Sequence, residues 1–89
     1  MLIIESILGN IRDKQWQDRA GKAKVDYLIL NQWDAQTNRL RRTSEQGNDI
    51  AVSLPRNTFM QNGDVLAFDE ARNTMTVAKI NLRAVLIIE

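Results

Sequence analysis

The stretch RLRRTSEQGNDIAVSLPR, residues 39–56, decides the fold. Residues 39–43 are predicted to form one strand, and the polar segment 44–49 supplies Gly47, which tolerates the positive φ angle of a tight turn. A second strand follows, in which Ile50, Val52 and Leu54 alternate with Asp49, Ala51 and Ser53. Pro55 lacks an amide proton, so this strand is expected to end there. The stretch therefore predicts a β-hairpin.

Beyond the hairpin, turn signals and apolar runs alternate. The dipeptide Asn62-Gly63 is the strongest tight-turn signal in the chain and leads into a strand predicted at residues 64–68. A turn near residues 70–73 then precedes a strand that carries Met75, Val77 and Ile80. Residues 84–89 are mostly apolar and are predicted to form another strand or the beginning of a linker.

Before the hairpin, residues 2–8 and 24–33 have the composition of strands. In the second segment one face carries Val25, Tyr27, Ile29 and Trp33 and the other carries Leu28 and Leu30, which predicts a strand covered on both sides. Residues 11–24 lack a helical period and contain Gly21, so we expect a loop there. Asp34 is predicted to cap a single helical turn at residues 35–38.

Length and composition fit one small domain. The chain has 89 residues, of which 44% are hydrophobic and 26% are charged, as in ordinary globular proteins. The spacing of the strands predicts an all-β domain over residues 1–89, a small two-sheet sandwich or partly open barrel of roughly six to seven short strands. The residues expected to be buried are Ile29, Ile50, Val52, Leu54, Val65, Leu66 and Val77.

The chain has no cysteine and no histidine, which excludes thiol nucleophiles, the commonest metal ligands and the commonest general base. We therefore expect neither an enzyme nor a metal or cofactor site in this chain. A net charge of +1 provides no strong field toward nucleic acid or an anionic membrane. No apolar run approaches the ~20 residues of a membrane span, and the start lacks the pattern of a secretory signal. A cytoplasmic protein without membrane contact is expected.

The candidate binding surface is the basic cluster Arg39-Leu40-Arg41-Arg42. In a strand, Arg39 and Arg41 share one face and Arg42 points to the other. Arg39, Arg41 and Arg56 are therefore the candidate partner-binding residues, because guanidinium groups suit the carboxylates of a partner protein or phosphates. The alternative is that these arginines are solvated surface.

The carboxylates Asp64, Asp69 and Glu70 lack the ligand spacing of a hard-cation site. Asp64 follows the turn at residues 62–63 and is expected to accept backbone hydrogen bonds. A surface ion pair of Arg56 with Asp64 or Asp49 is the alternative to a binding role for that arginine. The sequence thus predicts no catalytic residue and no metal ligand.

A second hypothesis is a small β-barrel that binds nucleic acid through Arg39, Arg41, Arg42 and Arg56. Trp16 and Trp33 are able to stack on bases, but neither is interleaved with the arginines, as a nucleic-acid platform requires. Both are therefore expected to pack in the core or against a loop. The net charge of +1 also disfavours nucleic acid as the partner.

Residues 39–56 and the later segment Gly63-Asp64-Val65-Leu66 resemble the amino-terminal domain of the UreE-type urease accessory proteins. That family's pattern is Arg-x-Arg-x-x-Thr, a glycine turn, an apolar alternation, Leu-Pro-Arg and then Gly-Asp-Val-Leu. All of these occur here in the same order, although Asn57 stands where the family often has glycine. Further segments that resemble family positions are Met1-Leu2-Ile3-Ile4, Leu8-Gly9, Asp26-Tyr27-Leu28, Trp33 and Val85-Leu86-Ile87-Ile88.

The resemblance implies a homodimeric, cytoplasmic nickel metallochaperone that delivers nickel to the urease apoprotein through other urease accessory proteins. It implies an all-β first domain, similar to the peptide-binding domain of J-type co-chaperones, that contacts protein partners. Nickel is implied for a second, ferredoxin-like domain, expected to lie outside residues 1–89. On the resemblance, this chain is expected to be a protein-interaction domain.

Overall fold

The computed structural model describes residues 2–81. Within them the elements are β1 (Leu2–Ile4), β2 (Gly9–Asn10), α1 (Lys14–Ala20), β3 (Lys24–Asn31), α2 (Gln32–Ala35), β4 (Arg39–Thr43), β5 (Asp49–Ser53), β6 (Asp64–Asp69) and β7 (Thr74–Asn81). The strands form one sheet of order β1-β5-β4 and another of order β2-β6-β7-β3. The prediction of an all-β, two-sheet sandwich is confirmed. The strand or linker expected at residues 84–89 lies outside the described residues.

The predicted hairpin is present in the three-stranded sheet. Strands β4 and β5 pair antiparallel, with Arg39 opposite Ser53 and Thr43 opposite Asp49. Gly47 in the connecting turn has a φ angle of 89°, a conformation that favours glycine. Strand β1 then pairs with β5 in parallel, so the beginning of the chain completes a sheet whose other strands lie far along the sequence.

The four-stranded sheet is built around a second hairpin, β6–β7. The turn before β6 has Gly63 at φ 87°, and the turn before β7 has Asn73 at φ 55°, so both predicted turns are confirmed. Strand β3 pairs in parallel with β7 over its whole length, and β2 pairs antiparallel with β6. This sheet therefore draws together residues from both halves of the chain.

The main core lies between the two sheets. Its buried members are Ile4, Leu28, Leu30, Ile50, Val52, Leu54, Met60, Leu66 and Ala78. Of the residues expected to be buried, all are buried except Ile29, which is 44% exposed. The prediction for Ile29 is wrong because Leu28 and Leu30 occupy the inner face of β3 and turn Ile29 outward. Burying one such leucine side chain contributes about 1.5–3 kcal/mol, so this choice of face is strongly determined.

Helix α1 replaces the loop predicted for residues 11–24. The helix has seven residues, and Trp16 is its one buried side chain, so the sequence shows no helical period. Trp16 packs against Val65, Met75 and Val77 on the outer face of the four-stranded sheet. A helix this short is marginal in isolation, so its stability comes from this packing. The expectation that Trp16 packs in the core is confirmed.

Helix α2 begins three residues before the helical turn predicted at residues 35–38, so the prediction that Asp34 is its cap is wrong. Asn31 is the N-cap and accepts a hydrogen bond from the backbone N–H of Asp34 at 2.8 Å, while the Asp34 side chain accepts the backbone N–H of Asn31 at 3.4 Å. Asp34 therefore occupies the third helical position of a capping box. Trp33 is 68% exposed, so the expectation that it packs in the core or against a loop is wrong.

A buried carboxylate joins the two sheets. Asp26 of β3 is 7% exposed and accepts hydrogen bonds from Ser44 Oγ at 2.5 Å, Asn48 Nδ2 at 2.8 Å and the backbone N–H of Gln46 at 3.1 Å. All three donors belong to the turn of the β4–β5 hairpin in the other sheet. This network fixes the hairpin turn against the edge of β3.

Candidate functional site

Two of the three candidate arginines, Arg39 and Arg41, lie on the outer face of the three-stranded sheet. Arg41 is opposite Ala51, which in turn is opposite Ile3, so these three side chains form a row across the sheet. Arg39 lies two residues from Arg41 on the same face, as predicted, with Ser53 as its neighbour. We call this surface, with Arg39, Arg41, Ala51 and Ile3, the arginine face.

Arg41 makes the closest charged contact on the arginine face. Its Nε donates to Asp49 Oδ1 at 3.0 Å, and its second guanidinium nitrogen donates to Asp49 Oδ2 at 2.5 Å. The side-chain hydrogen bond, with the ionic attraction added, lowers the pKa of Asp49 and raises that of Arg41. The geometry is bidentate, and Arg41 stays largely exposed while Asp49 is partly buried, so the pair orients Arg41 without burying it.

Arg42 has a different role from its neighbours. It points to the opposite face, where a guanidinium nitrogen donates to Asp34 Oδ1 at 2.8 Å. Asp34 is more buried than Arg42, with 18% of its side chain accessible compared with 47%. This pair ties β4 to α2 and separates Arg42 from the arginine face.

Arg56 follows the end of β5 in an exposed turn. Asn38, the residue before Arg39, donates through Nδ2 to the carbonyl of Pro55 at 3.2 Å and to that of Thr58 at 2.6 Å. This bridge holds the turn beside the beginning of β4. Within residues 2–81, no ion pair forms at Arg39 or Arg56. Their guanidinium donors therefore remain open to solvent in this part of the chain.

The ion pair considered as the alternative for Arg56 does not form. Asp49 is paired with Arg41. Asp64 accepts the backbone N–H of Gln61 at 2.6 Å and the side chain of Asn10 at 3.0 Å. The expected role of Asp64 as a turn residue that accepts a backbone hydrogen bond is thus confirmed.

Sequence reasoning missed the apolar part of the arginine face. Ile3 is 58% exposed, whereas its neighbour Ile4 is buried. The signal was the apolar run at residues 2–4, since a strand with one buried face must turn one of three consecutive residues outward. The arginine face therefore combines guanidinium donors with an exposed isoleucine, a composition suited to contact with another protein.

The side chains described do not fit a nickel site. The chain has no histidine or cysteine, and residues 2–81 contain no group of three carboxylates close enough to hold a metal ion. Carboxylates alone favour harder cations than nickel. The helices in the described range are also too short to cross a membrane.

Comparisons with known proteins agree with the pattern of the hairpin and of the turn after it. Residues 4–79 match the family model described as UreE urease accessory protein, N-terminal domain. The urease accessory protein UreE of Yersinia bercovieri is 44% identical over 90 positions, covering 100% of this chain and 40% of the relative. UreE of Yersinia pestis (strain Pestoides F) is 47% identical, again over 100% of this chain and 39% of the relative. This chain thus spans about 40% of the length of these curated relatives. It belongs to the UreE family of urease accessory proteins and corresponds to the N-terminal domain of that family.

Proposed function

We propose that this domain docks a urease nickel metallochaperone onto its protein partners during assembly of the urease metallocentre. The proposed partners are the urease apoprotein and other urease accessory proteins, met in the cytoplasm. In the longer protein, nickel would be carried by a second domain outside this chain, and the full-length protein would be a homodimer. Family membership supports the accessory role, and the arginine face supports the docking role.

The observation that carries the docking role is the open, donor-rich arginine face. Arg39 has no ion pair within the described residues, and Arg41 is oriented by Asp49 yet remains 67% accessible. Arginine presents a planar fork of donors that matches carboxylates and is frequent among residues that dominate binding energy. Ile3 adds an apolar contact beside them. A partner with an acidic patch around an apolar residue would complement this surface.

The alternative of nucleic-acid binding finds less support in the geometry. The net charge of +1 gives the chain no strong field toward a phosphate backbone. Arg42, a member of the same basic cluster, is engaged by Asp34 on the other face. An aromatic stacking platform is also missing from the row formed by Ile3, Ala51 and Arg41.

Charge reversal tests the docking role. Arg39→Glu, Arg41→Glu and Arg56→Glu, made singly in the full-length protein, should each weaken binding to the complex of urease apoprotein and accessory proteins by about tenfold or more. The melting temperature should change little, because these side chains are exposed. Binding is measured by surface plasmon resonance and melting by circular dichroism.

The matched control is Arg12→Glu, the same charge change at an exposed residue beyond the arginine face. It should leave the affinity unchanged. Normal binding by all three reversals would rule out the arginine face as the docking surface. A salt-sensitive complex with single-stranded RNA, lost in the same reversals, would favour the nucleic-acid alternative instead.

The proposal also predicts that this chain alone does not carry nickel. Calorimetric titration of residues 1–89 with nickel should show only weak, non-stoichiometric binding, because imidazole and thiolate ligands are missing. A stoichiometric site tighter than roughly micromolar, or about −8 kcal/mol, would contradict the assignment of nickel to another domain.

A further inference from the structure

The dipeptide Asn62-Gly63 has a chemical property besides its place in the turn before β6. Asn62 is the one asparagine of the chain that is followed by glycine. A backbone nitrogen attacks the preceding asparagine side chain most readily when it belongs to glycine, which has no Cβ atom to hinder the approach. Asn62 is therefore the residue of this chain with the greatest intrinsic tendency to deamidate.

Deamidation at this position needs no reactant except water. The Gly63 nitrogen forms a bond to Asn62 Cγ, and the bond between Cγ and the side-chain nitrogen breaks. The proton of the Gly63 amide leaves with that nitrogen as ammonia, and a five-membered succinimide ring remains. Water then opens the ring at one of its two carbonyls. One opening gives aspartate, and the other gives isoaspartate, in which the main chain runs through the former side chain.

The fold holds both reacting groups in hydrogen bonds to β7. The backbone N–H of Gly63 donates to the carbonyl of Ala78 at 2.8 Å. Asn62 Oδ1 accepts the backbone N–H of Ile80 at 2.9 Å, so this side chain takes the place of a backbone carbonyl beside β7. The Gly63 nitrogen must leave its acceptor before it can attack Asn62 Cγ, and a buried backbone group rarely does so.

Further hydrogen bonds fasten the turn to β2 and to the residue after it. Asn10 Nδ2 donates to the carbonyl of Asn62 at 3.2 Å and to Asp64 Oδ1 at 3.0 Å. The backbone N–H of Ile11 donates to the carbonyl of Gly63 at 2.9 Å. The turn is thus held from two sides, and its opening requires several of these hydrogen bonds to break together.

Isoaspartate at position 62 is incompatible with the observed turn. Asn62 Oδ1 and the Gly63 N–H now both point toward β7. In isoaspartate they become the carbonyl and the N–H of one peptide unit, which point in opposite directions when the bond is trans. The hydrogen bonds to Ala78 and Ile80 then cannot both form. Aspartate keeps the original main chain and an oxygen that accepts the Ile80 N–H.

We propose that Asn62 is a deamidation site that the native fold protects and that opening of the turn exposes. Isoaspartate formed there prevents the β6–β7 hairpin from returning to its place in the sandwich. The modification therefore marks chains that have opened and makes the opening irreversible. This property goes beyond the docking role of the arginine face and does not depend on it.

The first test compares deamidation of the folded chain with that of the chain in concentrated urea, at the same pH and temperature. Peptide mapping by mass spectrometry measures aspartate and isoaspartate at residue 62. Conversion should be about tenfold slower or more in the folded chain, because only the opened fraction reacts. Equal rates in the two conditions, or faster conversion of another asparagine in urea, would overturn the proposal.

Asn10→Ala tests whether the turn itself provides the protection. It removes hydrogen bonds around the turn without changing the reacting residues, and it should accelerate conversion in the folded chain roughly fivefold, as expected for one lost hydrogen bond. Asn38→Ala is the matched control, because Asn38 also bridges two backbone carbonyls, those of Pro55 and Thr58. It should leave the rate unchanged, and equal rates in the two variants would contradict local protection.

Refolding tests the consequence of the modification. After incubation in urea, chromatography separates chains with isoaspartate at residue 62 from unmodified chains, and each fraction is diluted out of urea. The isoaspartate fraction should fail to recover the native circular dichroism spectrum, whereas the unmodified fraction should recover it. Asn62→Asp is the control, since it adds the same charge on an unaltered main chain, and it should refold. Recovery of the isoaspartate fraction, or failure of Asn62→Asp, would contradict the proposed mechanism.

Discussion

The outer face of the four-stranded sheet is covered by α1, whereas no element within residues 2–81 covers the outer face of the three-stranded sheet. On the covered face, Trp16 packs against Val65, Met75 and Val77 in one buried cluster. On the open face, the corresponding positions hold Arg39, Arg41 and the exposed Ile3. The outer faces of the two sheets thus differ in composition: one carries a packed apolar cluster and the other carries exposed, mainly charged side chains. Of the two outer faces, one therefore contributes packing to the stability of the fold, and the other keeps charged side chains accessible.

The largest effect on the free energy of unfolding is expected from removing the Trp16 side chain, which covers the four-stranded sheet. Trp16→Ala should lower the free energy of unfolding by about 3–5 kcal/mol, since it deletes a buried indole and the anchor of a marginal helix. Urea denaturation monitored by circular dichroism measures the loss. Trp16→Phe is the control: it keeps an aromatic ring in the cluster and deletes an indole N–H that has no partner within the described residues, so it should lose clearly less stability than Trp16→Ala. Equal losses for both variants would contradict this account.

The contact between Gly9 and Trp16 should give the next largest effect. A Cβ atom at Gly9 would lie 2.2 Å from Trp16 Nε1, a distance that forces the indole to move. Gly9→Ala should therefore destabilise the fold by about 1–3 kcal/mol in the same denaturation experiment. Gly21→Ala is the control, because Gly21 has an ordinary φ of −67° and its nearest neighbours are at 3.6 Å. It should be neutral or stabilise by up to about 1 kcal/mol.

The smallest effect on stability is expected from the ion pair between Arg41 and Asp49 on the arginine face, and it depends on pH. The hydrogen bond from Arg41 holds the pKa of Asp49 below its ordinary value of 3.8. Ionised Asp49 therefore contributes stability above that value, and the contribution is lost as the pH falls through the lower folded-state pKa. NMR titration of the Asp49 carboxyl carbon should show this lowered midpoint. Arg41→Gln should return the midpoint toward 3.8, and a midpoint indifferent to this change would contradict the pairing.

The sequence predicts the open face better than the covered one, for a physical reason. The β4–β5 hairpin follows from local signals, namely the alternation of Ile50 and Val52 and the glycine turn at Gly47. Helix α1 has no such signal, because Trp16 alone is buried and its partners lie some fifty or more residues further along the chain. Which apolar residues are buried on this face depends on packing against an element distant in sequence. The local hydrophobic periodicity of the chain carries no information about that packing.

The same limit explains Ile29 and the candidate sites. Ile29 belongs to the alternating set of β3, yet it is not among the residues packed in the cluster under Trp16. The shared face of Arg39 and Arg41 follows from alternation alone. Ile3 joins them only through the parallel pairing of β1 with β5, which no local pattern predicts.

The two parallel strand pairs also determine when each strand finds its partner during synthesis of the chain. Leu2 pairs with Ile50 and Lys24 pairs with Thr74, so each pair joins residues about fifty positions apart. At a synthesis rate of about 5–20 residues per second, the second strand of each pair is synthesised roughly 3–10 seconds after the first. During that interval the apolar segments of β1 and β3 have no strand to pair with. Long-range pairing of this kind also slows folding, so the ribosome-bound chain passes through an aggregation-sensitive stage that ends only when β7 has emerged.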